Sequence, residues 1–121
     1  MSLLVGSSRG YGSSATHLPA LLEEGTKALE TENYDKIQRS FENWSEAATK
    51  SEVAAYFNSS LEPLLLRSPY SATAKSYAIF GIILGCSKTG KITPKIQAKL
   101  LNLILDESVK TAASAILSMQ K

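Results

Sequence analysis

The sequence predicts an all-α domain: a compact bundle of about six helices, built as antiparallel helix pairs around one enclosed helix at 71–85. Three observations carry that expectation. Apolar residues recur at steps of three and four along most of the chain, the period of one helix face. Capping signals, Thr49 with Glu52 and Thr93 before Pro94, open segments of helical length. The longest apolar run, Tyr77 to Gly85, is apolar on all sides, and no partner strands accompany it elsewhere. A buried strand is the rival reading of such a run.

Taken in order, residues 1–15 place Gly6, Gly10 and Gly12 among serines. That composition buries little and is expected to form a flexible arm, leaving 16–121 as a single domain. The opening MSLLVGSSRG carries three apolar residues, Leu3, Leu4 and Val5, without a basic n-region, so it does not read as a secretory signal. Ser at position 2 removes N-myristoylation. From Thr16 as a cap and Pro19 in the first turn, Leu18, Leu21, Leu22, Gly25 and Leu29 fall on one helix face. Gly25 costs a helix about 1 kcal/mol relative to alanine, which suits a close helix crossing. Next, Tyr34, Ile37, Phe41, Trp44 and Ala48 form an apolar seam, with Glu32, Lys36, Arg39 and Glu46 on the other sides.

These two segments resemble one tetratricopeptide unit. Gly25, Ala28, Tyr34 and Phe41 stand where that motif sets small, small, aromatic and aromatic residues. Glu24, Ile37 and Trp44 depart from it, and no second copy follows. The resemblance covers about thirty residues and implies an antiparallel helix pair, nothing more.

Thr49 and Glu52 then have capping-box spacing, and Val53, Tyr56 and Phe57 make the apolar face of the helix they open. Pro63 cannot sit deep in a helix, so Ser59 or Ser60 starts a new short one over Leu61–Arg67. Pro69 and Ser71 announce the enclosed helix. After Thr93-Pro94, Ile96, Leu100, Leu101, Leu103, Ile104 and Leu105 cover more than half of a helix circumference, a wider arc than one neighbour covers. Ser108 offers a cap for a last helix buried through Val109, Ala112, Ala113, Ile116 and Leu117. No Gly or Pro interrupts residues 105–108, so a continuous helix is the alternative there.

The chain has 121 residues, 44% hydrophobic and 20% charged, which excludes wholesale disorder and gives one domain's worth of core. Its one cysteine, Cys86, excludes an internal disulfide and a cysteine-cluster metal site. Lying in an apolar stretch, it fits packing in a reducing, cytoplasmic compartment. The apolar run is far short of the ~20 residues that span a bilayer, so no membrane partner is expected. Net charge is +2, unevenly placed. Residues 21–52 set eight carboxylates against Lys27, Lys36, Arg39 and Lys50, a net of −4. Residues 53–121 set Glu62, Asp106 and Glu107 against eight basic residues, a net of +5.

One stretch, GCSKTGK, imitates a nucleotide-binding loop. The Walker A pattern needs Gly, four residues, Gly, Lys and then a hydroxyl residue for magnesium. Gly85, Gly90 and Lys91 match, but Ile92 takes the hydroxyl position and Thr93 is committed as a cap. Too little chain follows to supply the parallel sheet such a loop joins. Gly85 therefore reads as a left-handed helix C-cap and Gly90 as a loop residue. His17, the lone histidine, has no triad partners in suitable spacing and reads as a surface or capping residue. No Glu-x-x-His or His-x-x-x-His spacing exists for a metal. Glu23, Glu24, Glu42 and Glu46 read as solvated or salt-bridged helix glutamates. No catalytic residue, metal site or cofactor is expected.

The expectation is a non-catalytic protein–protein interaction module, an adaptor or accessory protein that self-associates by burying an apolar helix face, with charge setting orientation. The alternative is a sequence-independent RNA- or DNA-binding protein. Its basic ridge would comprise Lys88, Lys91, Lys95 and Lys99, joined by Arg67 and Lys75 if the preceding loop folds back.

Overall fold

A computed structural model describes residues 13–66 and 69–119, with side chains from Leu18 onward. Seven helices account for nearly all of it: α1 (Ser13–Thr31), α2 (Tyr34–Ala47), α3 (Lys50–Ser59), α4 (Leu61–Leu66), α5 (Ala72–Lys88), α6 (Pro94–Leu103) and α7 (Glu107–Met119). The described residues contain no strand. Residues 1–12, most of the expected arm, lie outside the described residues. Residues 13–15 open α1, so that helix begins before Thr16 and holds Pro19 within it.

The helix pair implied by the tetratricopeptide resemblance is present. α1 and α2 turn about Glu32, whose φ is 53°, and Asn33 caps α2 by accepting from the Lys36 N–H at 3.4 Å. Gly25 sits against the Phe41 ring, where an added Cβ would come within 2.7 Å of a ring carbon. The glycine thus admits the aromatic at the crossing.

α5 is the centre of the molecule, buried from Ala78 through Cys86. Its partners along α2 rise in step: Tyr34 stacks on Tyr77 with centroids 5.1 Å apart, Gly81 abuts the Gln38 carbonyl, and Gly85 abuts Glu42 and Ser45. The two helices therefore run parallel. A Cβ on Gly81 or Gly85 would overlap α2 backbone, so these glycines, four residues apart on one face, set how closely the pair can pack. This corrects the reading of Gly85 as a C-cap. α5 continues to Lys88, and the left-handed residue is Gly90, with φ 65°. There the Lys91 N–H reaches the Cys86 carbonyl at 2.9 Å and the Gly90 N–H reaches Ser87 at 3.3 Å, a Schellman closure.

α3 opens on the expected capping box, Thr49 N–H to Glu52 at 2.7 Å and Glu52 N–H to Thr49 at 3.1 Å. α4 follows from Ser60, with Pro63 confined to its first turn. α6 starts at Thr93-Pro94 as expected. It ends at Leu103, and α7 is capped by Asp106 rather than Ser108: the Asp106 carboxylate accepts from the Ser108 and Val109 N–H groups at 3.0 and 3.4 Å. The break is fixed from α5. The buried Ser76 hydroxyl accepts from the Leu105 and Asp106 N–H groups at 3.2 and 3.0 Å, and Thr73 donates to Asp106 at 2.9 Å.

Candidate interaction surface

α6 buries Leu100, and Ile104 just beyond it is also buried, yet Leu103 and Leu105 remain 40% and 66% exposed. The over-wide apolar arc is thus partly uncovered. Facing it, α4 leaves Leu66 74% exposed. Between them opens a groove of about 320 Å³ lined by Phe57, Leu61, Leu65, Leu66, Leu103 and Leu105. Its polar residues are few. The Lys75 ammonium donates to the Leu65 carbonyl at 3.0 Å, tying the first turn of α5 to the end of α4, and Glu62 supplies the one carboxylate of the lining. A second hollow, about 370 Å³, lies between α1 and α3–α4. It carries no exposed leucine at its rim, and Tyr56, Ser60 and Thr26 make it more polar.

The lysines expected to form one ridge are placed in different roles. Lys88 pairs with both Glu42 and Glu46, at 2.8 and 2.9 Å. Those carboxylates, first through their hydrogen bonds, hold its ammonium well above the ordinary lysine pKa. Lys91, the residue in the Walker lysine position, donates to the Ser45 and Glu46 carbonyls at 2.8 and 2.6 Å. It closes the C-terminus of α2, where unpaired carbonyls and the helix dipole favour a cation. Lys75 is on the Leu65 carbonyl. Lys95 and Lys99 are exposed on α6. Arg67 lies outside the described residues, as does the side chain of His17.

Reactive chemistry is sparse. Cys86 is fully buried, and burial pushes its thiol pKa up to about 11, opposite to the shift a nucleophile needs. Among the described residues no three His, Cys, Asp or Glu side chains gather. No described helix is long and apolar enough to cross a membrane.

The α6 half of the groove was legible in the sequence as an arc too wide for one neighbour. The α4 half was missed, because Phe57, Leu61 and Leu65 read equally well as core. The close pairing of α2 with α5 also escaped, although Gly81 and Gly85 at four-residue spacing signalled it. No family model, curated protein or solved structure matches this chain.

Proposed function

We propose that the chain is a non-catalytic interaction module, an adaptor or accessory protein that associates with further copies of itself through the α4–α6 groove. One observation carries the reading: Leu66, Leu103 and Leu105 expose apolar surface around a formed hollow, where a lone domain gains nothing by leaving them wet. Burying them against a second copy stabilises by roughly 25 cal/mol per Å² of apolar surface removed from water, less the cost of association. The opposite charges of the two halves support an oriented encounter, although Lys88 already pairs with Glu42 and Glu46 inside the molecule.

The test is light-scattering mass across a wide concentration range. Mass is expected to rise toward an oligomer for the native chain and to stay monomeric for Leu103→Glu with Leu105→Glu, at unchanged helical circular dichroism. A native chain that remains monomeric throughout would refute the proposal. The second reading, nucleic-acid binding without sequence preference, draws on Lys95 and Lys99, both exposed and one turn apart. It would show as co-purifying nucleic acid that salt removes and that Lys95→Glu with Lys99→Glu abolishes.

A further inference from the structure

We infer that the groove is filled by the N-terminal segment of a second copy, through Leu3, Leu4 and Val5. This rests on the self-association reading and names its occupant. Those three residues are an apolar cluster in an otherwise Gly- and Ser-rich stretch. Three consecutive apolar side chains suit a short leucine-lined cleft better than a second globular face does. Charge agrees. Arg9 is the one charged side chain among residues 1–12, and it can meet Glu62, the one carboxylate lining the groove, while the Lys75 ammonium of the same lining is turned to the Leu65 carbonyl.

The topology argues for exchange between copies. α1 has 19 residues, so it is about 28 Å long. Its far end meets the start of α5, where the Ser71 hydroxyl donates to Glu32 at 3.0 Å. The groove opens beside that end, against Lys75 in the first turn of α5 and against Leu105, whose N–H is held by Ser76. Ser13 begins at the other end of α1. Seven residues lie between Val5 and Ser13, so eight Cα–Cα steps join them, a reach of roughly 27 Å only when fully extended. An unstrained Gly-rich segment of that length averages roughly 16 Å. Docking onto its own groove would stretch the segment taut around the body, whereas a neighbouring copy can present its groove at any distance. Two copies can exchange segments reciprocally, so each contact raises the effective concentration of the other.

Complementation of two full-length variants tests this. One carries Leu3→Ser, Leu4→Ser and Val5→Ser and keeps its groove; the other carries Leu103→Glu and Leu105→Glu and keeps its segment. Each alone is expected to be monomeric by light scattering, and an equimolar mixture to form a one-to-one complex. A fluorescent peptide of residues 1–12 is expected to bind the first variant and to bind the second at least about tenfold more weakly. If the segment variant associates like the native chain while the groove variant does not, this inference is overturned and self-association through the groove stands. If the native chain is monomeric and the segment variant alone binds an apolar dye, the segment covers its own groove, which overturns exchange. If the native chain is monomeric and dye binding is equal, both the inference and the self-association reading fall.

Discussion

Two glycines five residues apart, Gly85 and Gly90, differ in what surrounds them. At Gly85 an added methyl would overlap the Ser45 hydroxyl and come to 2.5 Å from the Glu42 carbonyl, part of the α2 backbone. Gly85→Ala is therefore expected to lower stability by about 2–4 kcal/mol in urea unfolding. Ser45→Ala would not rescue it, because the carbonyl stays in place. At Gly90 nothing lies within 4 Å, and only the left-handed backbone resists, so Gly90→Ala should cost about 1 kcal/mol. Lys91→Met removes two bonds to the closing turn of α2 and should cost about 1–2 kcal/mol in the same assay, with no change in any nucleotide affinity. Cys86, buried and with its thiol pKa raised, should resist a thiol reagent at pH 8 in the folded chain and react promptly in denaturant. Fast labelling of the native protein would contradict the packing described.

Among the elements, the break between α6 and α7 was the hardest to read from sequence, because neither Gly nor Pro marks it. Its cause is tertiary: Ser76, 29 residues away in sequence, supplies the acceptor for two N–H groups that a continuous helix would satisfy internally. Ser76→Ala is expected to cost about 1–3 kcal/mol by thermal melting, since those donors lose a partner in a partly buried setting. Asp106 adds a pH signature. The Ser108 and Thr73 hydroxyls, followed by the N–H groups of the first turn of α7, hold its carboxyl below the usual carboxylate range. A lowered folded-state pKa stabilises above the unfolded value and is lost as pH falls below about 4. Asp106→Asn should therefore flatten the acid limb of the stability profile, while leaving the profile near neutrality parallel to that of the native chain. By contrast, helix starts were legible wherever a local device set them. The Thr49–Glu52 box and Thr93-Pro94 need no distant partner to act.

Across the whole molecule, the charge asymmetry was visible in sequence but its use was not. Opposite signs suggested surfaces facing outward, yet Lys88 joins the two halves of one chain through Glu42 and Glu46, and Lys91 through the Ser45 and Glu46 carbonyls at the end of α2. Linear charge counts carry no information on which side chains meet. Association through an apolar groove should accordingly weaken little between low and moderate salt, as measured by sedimentation, whereas phosphate binding by Lys95 and Lys99 would fall steeply.

The parallel course of α2 and α5 bears on how the chain reaches this state. Helices that run the same way cannot be joined by a tight turn, and here the whole of α3 and α4 lies between them. The α1–α2 hairpin can form early from neighbouring residues, but the glycine seam must wait for a long loop to close. Its contacts are expected to form late, so Gly85→Ala should chiefly hasten unfolding and leave the refolding rate nearly unchanged in stopped-flow kinetics.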